Sequence, residues 1–133
     1  FDKAYYNRGT IKNINKDYNE AIKDFQKAIE INPTFFQAYM NLGYAKGFLN
    51  NYIDAKAFFG KAIELDSNSS EAHYNLGNTE AYLGNYNKAI VDFSEAIRLN
   101  PNFEIAYYNR ATEKMKLKYF FEASFTITHF LIL

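Results

Sequence analysis

Apolar residues in this chain fall in short blocks at helical spacing, and each block is closed by a polar turn. Between positions 86 and 99, Tyr86, Ala89, Ile90, Phe93, Ala96 and Ile97 share one helical face, while Asn87, Lys88, Asp92 and Glu95 share the other. Between 70 and 83, Ala72, Leu76, Ala81 and Leu83 make a second stripe, with Gly77 where a side chain is removed. The two-segment pattern recurs along the chain. It predicts first helices over 2–15, 36–49, 70–83 and 104–117, and second helices over 18–31, 52–65, 86–99 and 120–133. Eight helices are expected, with carboxylates such as Glu20, Asp24, Glu30, Asp92 and Glu95 on solvated faces beside Lys23, Lys27 and Lys88.

Punctuation supports the division. Lys16 and Asp17, Asn50 and Asn51, and Gly84 and Asn85 separate the paired helices with residues suited to turns. Asn32 before Pro33 and Asn100 before Pro101 close the second helices, because proline disfavours helical backbone at the residue before it. Unit two has Asp66 and Ser67 there, which keeps a capping residue without the proline. Sliding the sequence by 34 positions superimposes Tyr18, Tyr52, Tyr86 and Phe120, then Ala21, Ala55, Ala89 and Ala123. Phe25, Phe59 and Phe93 align with Ile127, and Ala28, Ala62 and Ala96 with Phe130. Gly9, Gly43 and Gly77 recur with Ala111 in the fourth place. A glycine inside a helix costs about 1 kcal/mol against alanine, so its recurrence implies a closely approaching neighbour. A coiled coil does not fit, because the apolar pattern resets at every turn.

These positions, with Tyr or His at 5, 39, 73 and 107 and Leu or Arg at 8, 42, 76 and 110, resemble the tetratricopeptide repeat (TPR). The resemblance covers the whole chain. It implies an all-α, right-handed α-α superhelix, a solenoid of helix-turn-helix units forming one array over 1–133. Repeats are expected at 2–35, 36–69, 70–103 and 104–133, the last incomplete or atypical. Arg8 and Arg110 depart from the usual leucine and are expected to bury their stems and pair outward. The chain opens on Phe1 already in register, which reads as a fragment or a processed chain.

Composition narrows the chemistry. Fifteen basic residues balance fifteen acidic ones, so no net field draws the chain to nucleic acid or anionic membrane, and neither is an expected partner. Cysteine is absent, which removes disulfides and thiolate chemistry without identifying a compartment. A soluble, cytoplasmic chain is the expectation. No apolar run of spanning length occurs. His73 takes an aromatic packing position and His129 lies in an apolar ending without acids at ligand spacing, so no metal is expected. Nothing assembles a nucleophile, a base and an orienting group, and no phosphate-cradling loop is present. The sequence therefore reads as a non-enzyme without a cofactor.

Resemblance to the family implies that the first helices line a concave, protein- or peptide-binding groove. One column there is uniform: Asn7, Asn41, Asn75 and Asn109. Carboxamides offer donors and an acceptor to the main chain of an extended peptide, or bond within their own array. Beside them stand Tyr6, Met40, Tyr74 and Tyr108, and one turn on Thr10, Tyr44, Asn78 and Thr112. Tyrosine joins apolar area to a polar tip, as binding surfaces favour. Tyr44 and Tyr108 are the expected open positions. The expected function is a scaffold holding an extended or helical segment of a partner. The clamp for acidic chaperone tails is not expected. Its positions would hold Tyr6, Thr10, Asn41, Glu71 and Asn75, or Met40, Tyr44, Asn75, Ile105 and Asn109. Two alternatives remain: the substrate-selecting arm of a larger enzyme, or self-assembly through the apolar last helix. Phe121, Phe125, Phe130, Leu131 and Leu133 would carry a homo-oligomer contact.

Overall fold

The computed structural model describes the backbone of residues 1–132 and the side chains of residues 1–127. Its described residues form seven helices: α1 (Asp2–Ile14), α2 (Tyr18–Ile31), α3 (Phe36–Phe48), α4 (Tyr52–Leu65), α5 (Ser70–Tyr82), α6 (Tyr86–Leu99) and α7 (Glu104–Ile132). Each packs on its neighbours in sequence, and first helices of adjacent units also touch, α1 on α3 and α5 on α7. The result is a helical solenoid of stacked hairpins.

The core is a periodic file of alanines and aromatics. Ala21, Ala55, Ala89, Ala28, Ala62 and Ala96 are fully buried, as are Phe25 and Leu42, with Phe59 and Phe93 nearly so. Small residues at those second-helix positions let the hairpins close. The recurrent glycine has the same cause, because a methyl group at Gly9, Gly43 or Gly77 would collide with the Phe25, Phe59 or Phe93 ring of its own hairpin. Turns are equally periodic. Lys16, Asn50 and Gly84 take positive φ of 64°, 58° and 78°. At the ends of the second helices Asn32, Asp66 and Asn100 accept through their side chains from the backbone N–H of Thr34, Asn68 and Asn102, at 3.2, 3.0 and 3.2 Å. Asp66 thus makes the same turn without proline.

Three expectations need correction. Seven helices stand where eight were expected, because unit four has no turn: α7 runs unbroken from Glu104 to Ile132. The residues aligned with the three earlier turns are Lys118 and Tyr119. Tyr119 lacks the short polar side chain that Asp17, Asn51 and Asn85 place at the N-cap, where Asn51 accepts from the Asp54 N–H, and the flanking Glu, Lys, Met and Leu are good helix formers. The C-terminal half of α7 therefore continues outward instead of folding back. Phe121 and Phe125 lie on it, exposed, whereas the side chains of Phe130, Leu131 and Leu133 fall outside the described residues, as does that of His129.

The second correction concerns carboxylates. Glu20, Glu30 and Glu95 do pair on helix surfaces, with Lys23, Lys27 and Arg98. Asp24 is only 3% exposed, and Asp92 is partly buried. Their position in the second helix faces back onto the first helix of the same hairpin, not toward water. Arg8 departs from the expectation: it stays exposed and pairs inward with that buried acid, donating through Nε to Asp24 at 2.8 Å while its guanidinium lies 5.3 Å from the Tyr5 ring centre. Arg110 donates to Ser94 Oγ at 3.2 Å and lies 5.5 Å from the Tyr107 ring centre.

Candidate functional site in the first-helix wall

The first helices α1, α3, α5 and the start of α7 carry the asparagine column, but its members stand in different surroundings. Asn7 is exposed and Asn41 is half-buried. Asn75 is buried and donates through Nδ2 to the Tyr44 hydroxyl at 2.7 Å. Asn109 donates to Asn78 Oδ1 at 2.9 Å and to the Tyr74 hydroxyl at 3.2 Å. In units three and four the carboxamide therefore stitches its helix to the preceding unit, using its donor and keeping its oxygen. Thr10, Thr79 and Thr112 bond the carbonyl four residues back on their own helices.

The adjacent tyrosines divide likewise. Tyr6 packs 4.8 Å from the Phe35 ring and 5.9 Å from Phe25, and Tyr74 repeats this with Phe103 at 4.8 Å and Phe93 at 5.8 Å. Met40, in the same register, is buried. Much of this column's area is thus spent on packing inside the array. Tyr108 is 69% exposed. Tyr44 sits edge-on to Phe59 at 5.5 Å and donates its hydroxyl proton to Glu71 Oε1 at 2.5 Å. Burial, with the Glu71 carboxylate beside it, holds the Tyr44 phenol far above the ordinary tyrosine range. It stays a donor at every physiological pH.

Two features escaped the sequence reading. One is a column of stacked contacts between units: Tyr18 on Phe48 at 5.0 Å and 8°, Tyr52 on Tyr82 at 4.7 Å and 3°, and Lys116 Nζ over Tyr86 at 5.4 Å. Its signal lay in the 34-residue spacing of Phe48, Tyr82 and Lys116. The other is an open cleft of about 380 Å³ between α3 and α5. Tyr44, Phe48, Tyr52, Phe59 and Tyr82 give it apolar walls, and Asn50, Asn75, Asn78 and Thr79 give it polar atoms. Gly43 and Gly47 line it without side chains, and a methyl group at Gly47 would meet nothing within 4 Å. Among the described residues no group of acids and histidines is placed to hold a metal ion, and no helix is long and apolar enough to cross a membrane.

Comparison with known proteins agrees with the periodicity. Family models described as tetratricopeptide repeat match residues 2–35, 70–103 and 36–69. A search of curated proteins finds no significant match. Among solved structures, the first TPR of Spaghetti (RPAP3), bound to the HSP90 peptide SRMEEVD, superimposes with a TM-score of 0.86 at 20% identity. That match covers 88% of this chain and 93% of that one. An Arabidopsis OM64 TPR domain gives 0.83 at 23% identity, over 86% and 95%. MamA gives 0.86 at 24% identity, over 88% of this chain and 68% of its own. With three consecutive units matched in register and the solenoid in place, this chain belongs to the tetratricopeptide repeat family.

Proposed function

We propose that the array is a protein-interaction scaffold that holds an extended peptide segment of a partner along its first-helix wall. One apolar side chain of that peptide enters the cleft between α3 and α5. The observation that carries this reading is the cleft itself. Five aromatic rings and four polar side chains line a recess into which Gly43 and Gly47 send no side chain. Apolar walls supply affinity, and the free carboxamide oxygens with Asn7 and Asn41 supply main-chain partners, each worth roughly 0.5–1.5 kcal/mol.

Glu71 sets the sign of the ligand. Its carboxylate lies at the wall, bonded to Tyr44, where an incoming acidic tail would meet it. The groove therefore favours neutral or basic segments and not the HSP90 peptide SRMEEVD bound in the RPAP3 structure. The test begins with a phage-displayed random library selected on the whole chain. Gly47→Leu, which fills the cleft without touching the core, is expected to weaken the selected peptide at least tenfold by calorimetry, with an unchanged helical circular dichroism spectrum. Asn41→Ala with Asn75→Ala is expected to weaken it further. An unaltered affinity in Gly47→Leu, or micromolar binding of SRMEEVD to the wild type, would sink this reading.

A further inference from the structure

In units one to three, the first-helix glycine and the second-helix phenylalanine are a fitted pair. A methyl group at Gly9, Gly43 or Gly77 would stand 2.8, 2.5 or 2.8 Å from the nearest atom of the facing ring. That is well inside the separation at which carbons attract. Unit four carries the complementary change on both sides. Ala111 supplies the methyl that the glycines lack, and Ile127 replaces the ring with a smaller side chain. Volume added on one helix is removed from the other, so the two faces of unit four still match.

Within one chain these faces never meet. Both lie on α7, sixteen residues apart on one straight element, or about 24 Å along its axis. Ala111 is exposed where Gly77 is buried, and Ile127 is 61% exposed where Phe93 is 1% exposed. Tyr119, Phe120 and Phe121 are each more than 60% exposed on the same half-helix. The first half of α7 thus lacks the second helix that every other unit has, and the second half carries a second-helix pattern without a first helix to cover.

We propose that two copies of this chain exchange the C-terminal halves of α7. The helices lie antiparallel across a twofold axis near Lys118, the central residue of α7, so that Ile127 of each copy packs on Ala111 of the other. In this arrangement each half-helix finds the partner that its sequence is shaped for. One self-complementary interface covers both apolar faces and closes, with nothing left to propagate. A second copy is favoured over folding back within one chain because the joint has lost its turn chemistry. Tyr119 stands where the other units place Asp17, Asn51 and Asn85 at the start of the second helix, and exchange leaves the helix unbroken.

The test uses the whole chain. Sedimentation equilibrium across a concentration series is expected to give twice the 15.5 kDa chain mass. Lys118→Gly with Tyr119→Asn, which restores the turn of unit three, is expected to give a helical monomer. Because the chain has no cysteine, Ala111→Cys with Ile127→Cys provides an independent reading. Oxidation is expected to join two chains covalently on a non-reducing gel. In addition, Ile127→Phe is expected to weaken the dimer at least tenfold, and adding Ala111→Gly to recover it. A monomeric wild type, a cysteine pair joined within one chain, or a turn variant that stays dimeric each overturns the exchange.

Discussion

Units one and three place an aspartate at the same point of the second helix, and the two carboxyls behave in opposite ways. Asp24 faces Arg8 and Lys12; Asp92 faces the aligned Leu76 and Glu80. Arg8 donates to Asp24 at 2.8 and 2.5 Å, and Lys12 lies at 2.8 Å. Those cations hold the Asp24 carboxyl down at about 2 in spite of its burial. Across from Asp92 there is no such pair. Burial, then the Glu80 carboxylate, pushes its carboxyl up to about 6, and Lys56 and Lys88 only partly offset them. Lys56 is committed to Glu80 at 2.6 Å. The repeat fixes where an acid sits, but its charge is set by two residues one helix away, and those are free to differ between units.

The largest expected effect follows from unit one. Asp24 has its folded value below the ordinary 3.8, so it contributes stability that is present above 3.8 and lost as pH falls through about 2. Asp24→Asn is expected to lower unfolding free energy by about 2 kcal/mol at pH 7, with the gap closing toward pH 2 in denaturant titrations. A gap that is the same at both pH values would break the contrast. Asp92 runs the other way. Its folded value is raised, so its favourable contribution exists below 3.8 and disappears as pH rises through about 6. Asp92→Asn is expected to raise stability by about 1–2 kcal/mol at pH 8 and by nothing below pH 4. The smallest change sharpens the comparison. Leu76→Arg gives unit three the cation of unit one and is expected to return Asp92 to the ordinary carboxylate range, read by carbon NMR titration, with a stability change below about 1 kcal/mol.

Much of this was legible in the sequence, for a physical reason. Stacked hairpins repeat one packing problem, so Ala21, Phe25, Ala28 and the facing Gly9 return at a fixed interval and announce the fold. The charge of Asp24 and Asp92 was not legible, since a solvated face and a first-helix-facing position differ by one residue on a helical wheel. The asparagine column could be counted but not interpreted. In the folded chain Asn75 and Asn109 spend their donors on Tyr44 and Asn78, a difference from Asn7 and Asn41 that no residue letter carries. The missing turn was visible as an absent Asx residue at Tyr119, yet the apolar register of Phe120, Ala123 and Ile127 argued for another hairpin. Register records what a face fits, and the joint decides whether the same chain can deliver it.

Packing each helix only against its near neighbours also has a kinetic meaning. No pair of distant segments has to find each other before the chain gains stability, so the entropy of closing long loops does not stand in the way. One hairpin and the helix stacked on it suffice as a starting point, and each later helix adds to a surface already formed. Such a chain grows along a line, and its ends are the last parts to be secured.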